Sequence, residues 1–349
     1  MSDGISLEEL QLAARNHGMP LEALRFPVTP VGLHYLLIHY DVPAVESEAW
    51  RLTVRGEREL SLGLDELRAR PATELTVTME CAGNGRARLD PRPVSQPWLL
   101  EAVGTARWRG TPLRPLLEEA GLTDGAVEVL FTGLDRGVEG GEEQAFQRAL
   151  SLEDALRDEV LVAYEMNGAP LPPQHGFPMR LVVPGWYGMT NVKWLERIEL
   201  LDEAFAGYQQ SWSYRVRQAE DEQGEALQRM QPRSLLVPPG IPEFLTRVRT
   251  VEPGEVVLEG RAWSGLAPVE SVDVSADGGA TWTPAELEPE GERWAWRGWS
   301  YRWDAHPGEY VLCSRVRDEA GNEQPVEAPW NLGGYANNAV QMVAVTVSY

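Results

Sequence analysis

The chain has 349 residues, with 53 Asp and Glu against 31 Lys and Arg, giving a formal net charge of −22. Its length suggests about two domains, and 43% hydrophobic with 24% charged residues is an ordinary globular balance, not a disordered one. The acidity argues against nucleic acid or an anionic membrane surface as partner, and no apolar run approaches the ~20 residues of a membrane span.

Met1 to Leu10 has no basic start, no apolar core and no Arg pair, so no secretory or twin-Arg leader is read. A cytoplasmic protein is expected, although a processed precursor bound for the periplasm would read the same. The first predicted element is a short helix. Ser6 caps it, Glu9 completes a capping box, and Leu7, Leu10 and Ala14 share a face. Residues 50–55 alternate, with Trp50, Leu52 and Val54 on one side, and predict a half-buried strand. A helix fits 111–120, with Thr111 as cap, Pro112 in the first turn and Gly121 beyond the end. Another begins at Ser151, with Asp154 three residues on. Arg180–Val183, ended by Pro184-Gly185, suits a strand buried on both faces.

Strand and helix signals mix up to about residue 215 without a steady βαβ rhythm, which predicts α+β rather than a doubly wound sheet. Residues 218–240, Gln-rich and then Pro-rich, read as a linker. Beyond Glu255 only strand signals remain. Val272 and Val274 alternate with polar neighbours before the turn Asp277-Gly278-Gly279. Trp294, Trp296 and the Trp299–Trp303 stretch are aromatic strand material, and Tyr310, Leu312 and Val316 share a face before a turn at Asp318–Asn322. About seven short strands predict an immunoglobulin-like sandwich without the antibody Cys…Trp…Cys spacing. The expected organisation is a mixed α/β domain over 1–230 and the sandwich over 231–349.

Two cysteines, Cys81 and Cys313, make no disulfide framework. Without CxxC or CxxCH, and with five scattered His, a thiolate zinc site, an iron–sulfur cluster and attached haem all lack their ligands. Thiol chemistry therefore has to rest on one cysteine. In the stretch Glu74–Arg86, residues Leu75, Val77, Met79 and Cys81 fall in one phase, which aims Cys81 inward at a strand end. Gly83-Asn84-Gly85 follows, a turn that lets backbone approach a ligand. An inward thiol beside a Gly-rich loop and Arg86 can ligate a soft metal. The same residue also reads as a small buried hydrophobe. Cys313, out of phase with Tyr310 and Leu312, is expected to be half-exposed or in a subunit interface, or to be structural filler.

Met79-Glu-Cys81-Ala-Gly-Asn84-Gly-Arg86 resembles the Cys-Ala-Gly-Asn motif of the sulfite oxidase family of molybdenum enzymes. Glu159 to Gly168, His175 to Gly185, Val192-Lys193-Trp194-Leu195 and Pro329-Trp-Asn-Leu332-Gly resemble that family's further blocks in order, over roughly residues 25 to 345. The resemblance implies a molybdopterin cofactor, one per chain, whose dithiolene holds molybdenum together with the thiolate of Cys81. It implies a molybdenum-cofactor domain followed by a dimerisation sandwich, hence a homodimer. Tyr35, His39, Asp135, His175, Arg180, Asn191, Val192 and Lys193 match cofactor-binding positions. Arg180 and Lys193 would take the phosphate, Asp135 would accept from pterin N–H groups, and Val192 would act through its backbone. Tyr208 and Arg86 would join Cys81 at the reacting face, the phenol bonding a labile oxygen ligand. Trp98 is a wall of the pocket or plain packing.

On residue type alone, Arg180 also reads as a strand-edge ion pair and Asp135 as a turn residue. His39 reads as a satisfied core histidine, Lys193 as a solvated side chain and Tyr208 as an interfacial aromatic.

The resemblance implies oxidation of sulfite to sulfate, with electrons passed to an external carrier because no haem segment is read. The family's arginine cluster is incomplete here. Leu37 stands at one Arg position, with Ile38 at the neighbouring Asn. Gly333 and Gly85 stand at two more, and Arg86 is retained. Each lost charge-assisted contact is worth ~1.5–3 kcal/mol. That opens an alternative, reduction of a sulfoxide or other S- or N-oxide. A reading from another class is a binding module, a sandwich that recruits a partner beside an inert first domain.

Overall fold

The structure, a computed structural model, describes residues 4–348. Met1–Asp3, part of the stretch read for a leader, lie outside it. The first helix, Leu7–Arg15, carries the expected capping box: the Glu9 amide donates to Ser6 Oγ and the Ser6 amide to the Glu9 carboxylate. Its apolar face is not the buried one. Leu7 and Leu10 are exposed, while Glu9 is buried in an ion pair with Arg92.

Two sheets build the first part of the chain. One runs in the order Glu59–Leu62, Leu52–Arg55, Leu195–Leu201, Glu128–Glu139, Glu142–Ser151. Its only parallel pairing joins Leu52–Arg55 to Leu195–Leu201. The other is antiparallel and runs Thr73–Glu80, Val103–Pro112, Leu161–Met166, Ala169–Pro170, with Arg180–Val182 also paired to Leu161–Met166. The expected alternation over 50–55 holds, with Trp50, Leu52 and Val54 buried. The helix Leu113–Ala120 buries Leu113, Leu116, Leu117 and Ala120 on one stripe. Its cap differs from expectation: Thr111 belongs to the preceding strand, where its hydroxyl donates to the Leu67 carbonyl, and Pro112 takes the cap position. Ser151 caps Leu152–Ala155 as predicted, accepting from the Asp154 amide.

The second part is a sandwich. One sheet runs Arg233–Leu236, Gly254–Trp263, Arg297–Ala305, Glu286–Leu287. The other runs Ile241–Pro242, Arg249–Val251, Val343–Val347, Gly308–Asp318, Val269–Ser275, Thr283–Pro284. Leu236, Trp299, Trp303, Leu312, Val316 and Val345 lie in the core between them. Three expectations change. The end of the predicted linker is structural, because Arg233–Leu236 is fully buried in the first sheet. Trp294 and Trp296 precede their strand and pack on the first domain, with the Trp296 indole donating to Pro27 O at 2.9 Å. Cys313 is fully buried, as the filler reading has it and against the half-exposed and interface readings, since its register partner Ser275 begins a turn that folds back until Gly278 donates to Val311 O.

Candidate active site

The strand Thr73–Glu80 delivers Cys81 to the floor of two adjoining cavities, which share Leu37, His39, Cys81 and Tyr214. The turn after it closes through the Asn84 amide, which donates to Cys81 O at 2.9 Å, and through Gly85 at φ +91°. The thiol is free, and burial pushes its pKa up against the pull of Arg86.

The inner cavity gathers most of the expected residues: Tyr35, His39, Cys81, Asp135, His175, Arg180, Asn191 and Lys193. Arg180 donates to the carbonyls of His175 and Asn191, each at 3.1 Å, and stacks 4.7 Å from the Trp108 ring. Burial lowers its pKa to about 10. Lys193 donates to Leu37 O at 2.7 Å and to Gln174 O at 3.2 Å. Burial lowers the Lys193 pKa, helped by the charge of Arg180. Burial raises that of Asp135, and Lys193 opposes the rise. His175 is neutral, its pKa lowered to about 2 by burial and neighbouring cations.

Two expected cofactor residues are otherwise engaged. The Asn191 side chain is occupied by the Val183 amide and Tyr187 carbonyl, its amide donates to Gly188 O and its carbonyl accepts from Arg180. Val192 lies in the core, not on the cavity wall, and both its backbone groups are taken, by Thr190 O and the Leu181 amide. His39 stands where the cavities meet, with both ring nitrogens engaged: Nε2 lies 2.9 Å from the Glu139 carboxylate and Nδ1 3.4 Å from the Tyr214 hydroxyl.

The outer cavity is a vestibule of about 440 Å³ lined by Arg15, Leu37, His39, Arg86, Trp98, Arg136, Glu139, Tyr214 and Tyr335, among others. Trp98 is therefore a wall residue. Arg86 is buried; its Nε donates to Gly333 O at 2.8 Å and its Nη1 to Gln96 O at 3.3 Å, and its guanidinium sits 4.9 Å from the Tyr335 ring.

Tyr208 lines neither cavity. It opens the short helix Tyr208–Ser211, half-buried against Gly140. Tyr214, six residues further on, is the tyrosine placed where the two cavities meet. It lines both cavities, is buried, and is held at φ +46°, a region non-glycine residues seldom visit. Burial raises its pKa well above 10.

Sequence reasoning also missed His34 and Arg148. His34 lines the inner cavity, its ring 5.6 Å from that of His175. Burial lowers its pKa to about 4. Arg148 is buried with its guanidinium 5.7 Å from the Tyr214 ring and no carboxylate partner among the described residues. A buried base in a neutral-looking strand gives no local sequence signal.

The donor set fits a metal that brings most of its own ligands. Among the described residues, no group of three or more His, Cys, Asp or Glu is placed to hold a metal ion. One thiol is available, and the inner cavity presents buried polar atoms without partners: His34 Nε2, Asp135 Oδ1 and Arg180 Nε. Such atoms are costly when unpaired and are the natural contacts of a polar, anionic cofactor.

Comparison with known proteins agrees with that chemistry. Residues 39–209 match the oxidoreductase molybdopterin-binding domain, and 225–348 match the Mo-co oxidoreductase dimerisation domain. The chain is 40% identical over 352 residues to a sulfite oxidase of Gallus gallus, covering 91% of this chain and 73% of that protein. It is 37% identical over 347 residues to the mitochondrial sulfite oxidase of Homo sapiens, covering 92% of this chain and 62% of that one. A nitrate reductase of Solanum lycopersicum is 33% identical, covering 92% of this chain and 38% of its own length. The crystal structure of the sulfane dehydrogenase SoxCD from Paracoccus pantotrophus superposes with a TM-score of 0.82 at 25% identity, covering 99% of this chain and 93% of that one. The protein is thus a molybdopterin-binding oxidoreductase. More narrowly, it belongs to the sulfite oxidase family, and it spans 62% of the length of the human relative.

Proposed function

We propose that this protein oxidises sulfite to sulfate at a molybdenum held by Cys81, passing two electrons to an external carrier. In balance, sulfite and water give sulfate, two protons and two electrons. The observation that carries the reading is the position of Cys81, a lone buried thiol at the junction of a polar inner cavity and an open vestibule. When bound, the cofactor supplies a metal that exchanges one oxygen atom and two electrons.

The chain's own residues bind and orient. In this reading Arg180 and Lys193 neutralise the cofactor's phosphate. Asp135, His34 and His175 meet its polar edge, and Tyr35 packs beside it. Across the junction, Arg86 draws the substrate anion inward. Tyr214 and His39 hold a hydrogen-bonded path from the reacting face to the Glu139 carboxylate, along which protons leave.

The vestibule supports a second reading. At about 440 Å³ it is far roomier than sulfite requires. Leu37 and aromatic rings stand where further cations are expected, and two Arg86 donors are already bound to backbone carbonyls. A larger, less charged sulfur compound, oxidised or reduced, would suit that face.

The test is a steady-state assay of molybdenum-replete protein with sulfite and ferricyanide. Turnover is expected in the wild type and loss of both metal and turnover in Cys81→Ser, with an unchanged circular dichroism spectrum. A metal-replete wild type that is silent toward sulfite but reduces a sulfoxide with a viologen donor overturns the sulfite reading in favour of the second.

A further inference from the structure

The strand that ends at Cys81 is buried on both faces. On the face opposite the thiol's phase, Glu80 points across the boundary between the two halves of the chain and is only 1% exposed. Three groups meet its carboxylate. Asn84 Nδ2 donates to Oε1 at 3.0 Å and the Trp263 indole to Oε2 at 3.0 Å. Arg233 Nε lies 2.8 Å from Oε1 as a charge contact, without the angle of a hydrogen bond. Arg233, itself 1% exposed, also donates to the carbonyls of Asn84 and Asn337. Asn337 Nδ2 returns to Gly85 O at 2.7 Å, and the Ala336 amide donates to Ala82 O at 2.8 Å.

Every one of these outside contacts comes from residue 233 or beyond. The backbone carbonyls at 82, 84 and 85, within four residues of the thiol, are all capped by the C-terminal sandwich. A buried ion pair is seldom retained for stability alone, because apolar replacements of similar shape often serve as well. Its placement beside Cys81 gives it a second consequence. Removing one half leaves an uncompensated charge in a low-dielectric interior next to the metal ligand.

We propose that Arg233 and Trp263 are positioning residues for the Cys81 turn, and that the Glu80–Arg233 pair sets the charge balance behind the thiolate. The C-terminal sandwich then acts on the metal centre as well as on a second subunit. The inference rests on Cys81 holding the metal, and is independent of which substrate reacts there.

The experiment uses the full chain in two forms. In metal-loaded protein without substrate, the midpoint potentials of the molybdenum couples are followed by EPR during redox titration. Glu80→Gln leaves Arg233 uncompensated and is expected to raise the potentials. Glu80→Gln with Arg233→Met restores the balance and is expected to return them toward wild type. In metal-free protein, the rate of Cys81 labelling by a disulfide reagent is compared between wild type, Trp263→Phe and Arg233→Met. Loss of one buried contact is expected to speed labelling about tenfold. Loosening alone predicts that the double variant departs at least as far as the single one. That result overturns the charge-balance claim, and unchanged labelling rates overturn the positioning claim. If wild type from a cofactor-competent host carries no molybdenum, Cys81 as a metal ligand fails, while labelling still decides whether the sandwich holds the turn.

Discussion

Under the proposed function, Leu37 is the side chain whose replacement tests substrate choice most directly. It lies on the wall shared by both cavities, half-buried, with Arg86 on the vestibule side and Lys193 bonded to its carbonyl. Leu37→Arg would add a guanidinium to a face that has one retained family arginine. A charge-assisted hydrogen bond is worth about 1.5–3 kcal/mol, so KM for sulfite is expected to fall by about 10-fold or more with the metal content unchanged. Steady-state kinetics check this, and an unchanged KM would mean that the anion does not rest against this wall. His34 makes a different prediction, for stability. Its folded pKa is about 4, against 6.5 ordinarily, because burial disfavours the imidazolium. Between those values the unfolded chain binds the proton that the folded one refuses. Stability therefore falls as pH drops, by about 1.4 kcal/mol per unit from this residue. His175, lowered to about 2, acts in the same sense, and Asp135, raised, acts in the opposite one. His34→Phe is expected to flatten the pH dependence of metal-free stability by one proton between about pH 6.5 and pH 4, measured by urea unfolding. Identical slopes in the two proteins would contradict it.

At the level of elements, the turn 81–85 is where backbone conformation and chemistry coincide. Gly85 sits at φ +91°, and a Cβ there would meet Asn337 O at 2.8 Å. Gly85→Ala is expected to lose about 1–2 kcal/mol from the left-handed backbone and more from that contact. Gly125→Ala is the control. At φ +86° with open space around it, it carries the conformational cost alone. Urea midpoints should fall in the order wild type, Gly125→Ala, Gly85→Ala, and equal losses would remove Asn337 from the account. The same turn marks how far the chain could be read unaided. Signals local to a few residues were legible: the Ser6 and Ser151 caps, the alternation at 50–55, and Cys81 at a strand end. Signals that depend on what packs from afar were not. The phase of Thr76, Thr78 and Glu80 opposes that of Cys81, yet the sandwich buries them, through Glu292, Trp294, Trp263 and Arg233. The motif blocks found the inner cavity. Tyr208 lines neither cavity and Tyr214, six residues on, lines both, because the short helix Tyr208–Ser211 lies between them and leaves no sequence pattern that tells the two phenols apart. Val192 lies in the core with its backbone groups bonded to Thr190 and Leu181, a placement that its own sequence block does not signal.

For the whole molecule, the sandwich, matched over residues 225–348 as a dimerisation domain, presents an apolar surface that this chain does not cover. The loop joining Ile241–Pro242 to Arg249–Val251 presents Ile241, Phe244 and Leu245 at 71%, 82% and 81% exposure. It is not a loose tip. Glu243 accepts from the Leu245 and Thr246 amides and the Thr246 hydroxyl, at 2.9, 2.6 and 2.8 Å, which fixes the turn and holds the apolar pair outward. Large apolar side chains held rigidly in water mark an interaction surface, and in a twofold dimer each such surface is buried twice. The protein is therefore expected to sediment as a homodimer at micromolar concentration, with this loop in the interface. Burying one such side chain is worth about 1.5–3 kcal/mol. Phe244→Asp with Leu245→Asp should thus weaken dimerisation by about 100-fold or more, leaving a folded monomer with the molybdenum content of the wild type. Analytical ultracentrifugation of both proteins decides it. A wild-type dimer unaffected by the double substitution would put the interface elsewhere on the sandwich, and a wild-type monomer would remove the second copy as the occupant of this loop.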